Sequence, residues 1–228
     1  MPRKHLLSLL AEHSFKLGNF KLSSGGTSDY YIDCRVTTLH AEGARLTGRV
    51  FLDEILRLGW APRAIGGMTL GADPIVTSVA MLSAQSLKPR VRDANLLEAQ
   101  PPASDYWIHG FLVRKSKKAH GAGQRIEGLR QKGTRVVIVD DVCTTGASTI
   151  QAIEAAREFG FEVVGVMCLV EREEAGGRKA VEEAAAPAPF VTIFTAKEIR
   201  EEHLVLFPDA DKSAGEAAVE TEENDTDE

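Results

Sequence analysis

Residues 135–150 read RVVIVDDVCTTGASTI, and this stretch decides how the chain folds. The aliphatics Val136 to Val139 do not alternate with polar residues, which predicts a strand covered on both faces of a parallel sheet. Two adjacent carboxylates, Asp140 and Asp141, follow where that strand is expected to end. The turn from Cys143 to Ser148 holds small side chains, hydroxyls and one glycine, so it can bend tightly. A helix is expected to begin near Ser148, with Gln151 completing a capping box and Ile150, Ile153 and Phe159 as its buried stripe. A second unbroken apolar run, Val163 to Val170, completes one βαβ unit.

A tight turn of this kind aims backbone N–H groups at the positive end of a helix dipole, which makes a phosphate cradle. No Gly-Lys-Ser/Thr is present, so it is not a Walker A loop. Carboxylates beside such a cradle would repel the anion unless they served another group. As pure acceptors they suit sugar hydroxyls, or the water around a magnesium ion. A ribose carrying a 5-phosphate meets both demands. The plainer alternative is an acidic turn that merely caps a helix; it ranks lower with aliphatics before the acids and Thr-Thr-Gly-Ala-Ser after them.

Outward from this unit, helices are expected over His5–His13 and Ala41–Gly59, the latter burying Phe51, Ile55 and Leu58. A third is opened by Asp73 as N-cap with Pro74 at its first position, and buries Ile75, Val79 and Leu82. Strands are expected at Arg63–Gly67, Trp107–Arg114, Phe161–Val170 and Phe190–Ala196. Leu87–Tyr106, with its proline pair, reads as an exposed excursion. At 228 residues, 43% hydrophobic and 26% charged, the chain fits one domain over residues 1–207 with a sizeable core. Residues 208–228 read as an acidic, disordered tail. From Asp209 on, nine acids and one lysine account for more than the whole formal charge of −6 and leave +2 on the rest. That balance argues against a nucleic-acid partner. No apolar run approaches the roughly 20 residues of a membrane span, and no signal peptide is legible. Cys34, Cys143 and Cys168, odd in number and widely spaced, read as free thiols of a cytoplasmic protein.

A second cluster, VRKSKKAHGAG from Val113 to Gly123, suits a glycine-hinged lid over a polyanion. Taken with it, VVIVDDVCTTGAST resembles the phosphoribosyl-diphosphate (PRPP) motif of the type I phosphoribosyltransferases. The lid resembles that of the orotate phosphoribosyltransferases, Arg-Lys, two residues, Lys, one residue, His-Gly. Adenine phosphoribosyltransferases tend to have Leu-Pro-Gly where Ala119-His120-Gly121 stands. FKLSSGGTSDYYIDCR (Phe20 to Arg35) is similar to the family's N-terminal hood segment, and GGMTLGADPI to its diphosphate loop. Where some members carry lysines in these segments, Ser23 and Thr69-Leu70 stand here.

The resemblance implies an α/β fold of the type I phosphoribosyltransferase kind. Its central, mainly parallel sheet is flanked by helices, with a small hood mainly from residues 1–40 and a mobile catalytic loop. It implies transfer of ribosyl 5-phosphate from PRPP to orotate, giving orotidine 5′-phosphate and diphosphate in UMP biosynthesis. A phosphoribosyltransferase for a purine base, or a non-catalytic sensor of PRPP or nucleotides, are the alternatives. Lys118, His120 and Asp141 would be catalytic. PRPP would be bound by Arg114, Lys115, Lys118, His120, Asp140, Asp141, Val142, Cys143, Thr144, Thr145, Gly146, Ala147 and Ser148. Orotate would be bound by Thr144, Arg172 and the backbone at Tyr31 and Ile32. Mg2+ would be held by substrate and water, with no direct protein ligand. A homodimer is implied, with Arg114 and Lys118 acting in the partner's site; no membrane partner is expected.

Overall fold

The computed structural model describes residues 1–21, 27–86, 107–115 and 125–210. Ser23, the Leu87–Tyr106 excursion, Lys118, His120 and most of the acidic tail lie outside them. The chain runs α1 (Pro2–Leu9), a π-helical turn (Leu10–Ser14), β1 (Phe15–Lys21), β2 (Thr27–Ile32), α2 (Cys34–Thr38), α3 (Ala41–Leu58), β3 (Ala64–Met68) and α4 (Ala72–Ser86). It continues through β4 (His109–Val113), β5 (Ile126–Gly128), β6 (Arg135–Cys143), α5 (Ala147–Phe159), β7 (Glu162–Glu171), a 3-10 turn (Glu173–Ala175), α6 (Gly177–Ala185), β8 (Phe190–Thr195) and α7 (Ala196–Leu206).

The six-stranded sheet has the order β5-β4-β3-β6-β7-β8. All its pairings are parallel except β4 with the edge strand β5. Both faces are covered, as the unbroken apolar runs predict. Val137, Val139, Met167 and Leu169 pack into one layer with α1, α3 and α4. Val136, Ile138, Val166 and Cys168 pack into the other with α5 and α6. Successive strand residues point to opposite faces, so each apolar run feeds two cores at once. The hairpin β1–β2 forms a separate antiparallel sheet, with Phe15 stacked on Tyr30 at 5.3 Å.

Several sequence expectations are corrected. β6 does not stop at Asp140; pairing with β7 carries it on to Cys143. α5 begins at Ala147, with Gly146 as N-cap in the left-handed region (φ 77°) and no side-chain cap. Glycine adopts that conformation without Cβ strain, so the helix is already under way at Ser148 and no Ser148–Gln151 capping box forms. The buried face of α5 is Thr149, Ala152, Ile153, Ala155 and Ala156, with Ile150 and Phe159 only partly covered. Asp73 is not the N-cap of α4. Its N–H donates to Leu70 O at 3.2 Å, and the helix starts at Ala72, two residues before the expected first position at Pro74. Pro74 then stands in the first turn, where no intrahelical donor is needed. The strand β5 and the helices α2, α6 and α7 were not anticipated.

Candidate active site

In an open parallel sheet the crevice lies at the carboxyl ends of neighbouring strands whose connections leave in opposite directions. Here that point is between β3, which leads outward to β4, and β6, which leads to β7 on the other side. Pairing of β6 with β3 ends at Gly66–Ile138, and β6 runs five residues further alongside β7 alone. The overshoot leaves a notch above β3, roofed by the hairpin, and a cleft of about 1040 Å³ opens there. The end of β3 and the loop after it fit against β6 because each has a glycine there. A Cβ on Gly71 would lie 2.2 Å from Asp141 Oδ1, and one on Gly67 would lie 1.9 Å from Val139 O.

Because β6 continues past them, the two acids face opposite sides of the sheet. Asp140 turns toward α5, only 5% exposed, and its Oδ2 accepts from Thr149 Oγ1 at 2.7 Å. Burial pushes its carboxyl up to about 7, against the lowering effect of the Thr149 bond, and the Asp141 charge adds to the rise. Asp141 faces the hood side, against Gly71, and its Oδ1 accepts Val142 N–H at 3.0 Å. Both carboxylates border the cleft.

Beyond them the turn closes on α5. Gly146, the N-cap, offers no side chain to the helix; Ala147 N–H donates to Thr145 Oγ1 at 3.5 Å, and the N–H groups that follow project from the helix N-terminus, where an anion is stabilised by such donors and by the dipole. The turn is braced from behind by α6. A Cβ on Gly177 would sit 2.2 Å from Thr144 O, and one on Gly146 would meet Val181 Cγ2 at 2.4 Å. The N-terminus of α6 is itself anchored where Arg178 Nε donates to the buried Glu171 Oε1 at 2.9 Å. Thr144 and Ser148 border the cleft, as does Val142. Cys143 is buried under the turn, and Thr145, Gly146 and Ala147 form the turn itself.

Across the cleft, Arg172 stands just after β7, its N–H donating to Cys143 O at 2.9 Å. Its guanidinium is clamped against the hairpin. Nε donates to Tyr30 Oη and to Glu174 Oε1, each at 3.0 Å, and Nη2 donates to Ser28 Oγ at 2.9 Å. The group also lies over the Tyr30 ring, 4.5 Å from its centroid. The Tyr30 hydroxyl donates to Glu174. Burial, with that bond, pushes the Tyr30 phenol far above its ordinary value. Burial also raises Glu174, but bonds from Tyr30 and Arg172 outweigh it and hold its carboxyl below the usual range. Tyr31 and Ile32 border the same cleft, Tyr31 with its ring 5.5 Å from Phe20.

Arg114 and Lys115 reach the cleft from the end of β4, and Arg114 Nη1 lies 3.6 Å from Glu127 Oε1. The structure thus brings together the Asp140–Ser148 segment, Arg172, Tyr31, Ile32, Arg114 and Lys115. Lys118 and His120, outside the described residues, are not placed. Sequence reasoning missed Tyr30, Glu174, Gly177 and the pair Asp33–Arg35. The acids following Arg172 and the Asp-x-Arg spacing were the available signals. Among the described residues no group of three or more His, Cys, Asp or Glu is arranged to hold a metal ion, and no helix is long and apolar enough to cross a membrane.

Residues 110–186 match the family model for the phosphoribosyl transferase domain. The chain is 40% identical over 179 residues to the orotate phosphoribosyltransferase of Rhodopirellula baltica, covering 77% of this chain and 83% of that one. It is similar in structure to Mycobacterium tuberculosis orotate phosphoribosyltransferase solved with Fe(III) dicitrate, with TM-score 0.67, 33% identity, and 87% of this chain and 99% of that one covered. The same Mycobacterium protein solved with PRPP gives a TM-score of 0.63 at 30% identity, over 87% of this chain and 99% of that one.

Proposed function

The chain belongs to the orotate phosphoribosyltransferase family, and from that premise we propose how its cleft carries out the transfer of ribosyl 5-phosphate from PRPP to orotate in pyrimidine biosynthesis. The observation that carries the reading is one cleft bordered by the glycine-capped N-terminus of α5, by the clamped guanidinium of Arg172 and by Asp141. The Thr144–Ser148 turn takes the 5-phosphate. Asp141, with Asp140 behind it, accepts hydrogen bonds from the pentose hydroxyls. Arg172, Thr144 and the backbone at Tyr31 and Ile32 hold orotate, for which a planar guanidinium is well shaped.

Breaking the C1–O bond develops positive charge on the sugar and negative charge on the departing diphosphate. Preorganised cations stabilise the second charge, here Arg114, Lys115 and Lys118 with His120. The Asp141 carboxylate lies beside the first. Closure of the 113–123 segment excludes water that would otherwise trap the sugar cation. Magnesium, when bound with PRPP, supplies further neutralisation of the diphosphate. The donor set suits a substrate-held ion, because Asp140 and Asp141 can accept from its water. We read the chain as a cytoplasmic homodimer whose Lys118 completes the partner's site; Arg114, expected to act there too, borders the cleft of its own chain. Buried free thiols at Cys34, Cys143 and Cys168 suit a reducing compartment.

Offered orotate, uracil, adenine and hypoxanthine in parallel with PRPP and magnesium, the protein is expected to consume orotate alone. Consumption of a purine base would move the assignment to another phosphoribosyltransferase, and consumption of none would favour a sensor. Mixing inactive Lys118→Ala with inactive Asp141→Asn is expected to restore partial turnover through hybrid dimers. Absence of rescue would mean that each chain completes its own site.

A further inference from the structure

We propose that Arg35, held in place by Asp33, binds the diphosphate of PRPP. The inference rests on the reading above and extends it. PRPP is a linear sequence of groups: 5-phosphate, pentose hydroxyls, then the diphosphate on C1. With the phosphate at the Thr144–Ser148 turn and the hydroxyls at Asp141, the diphosphate must lie past Asp141 on the side away from the turn. That side is walled by the loop after β3, whose Gly71 abuts Asp141 Oδ1. The loop offers no cation, and Leu70 is 68% exposed there. Its next acid, Asp73, even carries a buried Oδ1 with no hydrogen-bond partner, so a second anion arriving here requires a positive group.

Arg35 supplies one. It borders the cleft and also a neighbouring hollow of about 880 Å³, and Asp33, Leu70 and Asp73 border both as well. It therefore stands on the wall that the diphosphate would meet. Its charge is close enough to Asp141 for the two to interact. Asp33 fixes the guanidinium by one edge: Nε donates to Oδ1 and Nη2 to Oδ2, both at 2.8 Å. Asp33 Oδ1 also accepts the Arg35 N–H at 3.0 Å as the cap of α2. Among the described residues nothing accepts from Nη1. An exposed Arg–Asp pair adds little to stability, and the Arg35 side chain is 46% exposed. Its merit is geometric, a rigid fork presented to a polyanion with part of its donor set unused.

The test compares Arg35→Gln and Arg35→Lys with wild type in steady-state kinetics and in calorimetric binding of inorganic diphosphate. Loss of a charged hydrogen bond weakens binding by about tenfold to a hundredfold. Arg35→Gln is expected to raise the KM for PRPP and the Kd for diphosphate by that factor, with orotate KM within about twofold of wild type. Arg35→Lys should fall between, since it keeps the charge and loses the fork. Asp33→Asn, which leaves Arg35 in place but frees it, should weaken diphosphate by a few fold. Diphosphate affinity unchanged in Arg35→Gln, or an effect confined to orotate, would overturn the assignment. A wild-type protein that binds diphosphate through Arg35 yet ignores orotate would sink the base assignment and leave this one standing.

Discussion

Where β6 passes into α5, the chain is positioned by backbone in contact with backbone; where the hairpin leans over Arg172, it is positioned by side chains bonded to side chains. The turn is set between a central strand and α6, with clearances too small for a Cβ at Gly146 or Gly177. The Arg172 clamp instead draws Ser28, Tyr30 and Glu174 together at the edge of a small two-stranded sheet. The turn is proposed to take a phosphate, which is the same in every PRPP molecule, so rigid N–H donors would suffice for it. Selecting one base requires a shaped, polar surface, which only placed side chains provide.

The contrast can be broken most severely at the turn. Gly177→Ala puts a methyl group against the Thr144 carbonyl and is expected to weaken PRPP binding by about tenfold to a hundredfold, since overpacking costs about 1–3 kcal/mol and displaces the donors. Orotate binding measured alone should change far less. An unaltered PRPP affinity would show that α6 does not brace the turn.

Next in size is the buried acid on the same side. The folded carboxyl of Asp140 is raised from 3.8 to about 7, so between those values the native state binds the proton that the unfolded state has released. Stability therefore falls as pH rises through this window. Asp140→Asn removes the slope and should leave a protein that is more stable above pH 7 by on the order of 4 kcal/mol, with little difference near pH 4. Melting temperatures at the two pH values check this; parallel curves for the two proteins would refute it.

On the base side, Arg172→Lys is expected to raise orotate KM by about tenfold, through loss of the planar fork, with PRPP KM nearly unchanged. Tyr30→Phe removes one hydroxyl from the clamp and should cost about 1 kcal/mol, seen as a several-fold rise in orotate KM. If Tyr30→Phe raised PRPP KM equally, the two ends of the cleft would not be separable.

The sixteen residues from Arg135 to Ile150 announced a parallel strand, a tight turn and a helix, because each depends on neighbours in the chain: apolar runs, small residues and one glycine. The strands expected at Arg63–Gly67, Trp107–Arg114 and Phe190–Ala196 were legible for the same reason and stand in the sheet within a few residues. Arg172 was singled out by resemblance, but its clamp was not legible, since Ser28 and Tyr30 lie more than 140 residues away in sequence.

Sequence alone therefore determined the βαβ unit and its tight turn, which are local. Tertiary structure decided which way Asp140 and Asp141 face, because the length of β6 is set by its pairing with β7. It also decided what stands behind the turn and what holds Arg172 and Arg35. Those are contacts between segments distant in the chain, and no run of neighbouring residues carries the distances on which they depend.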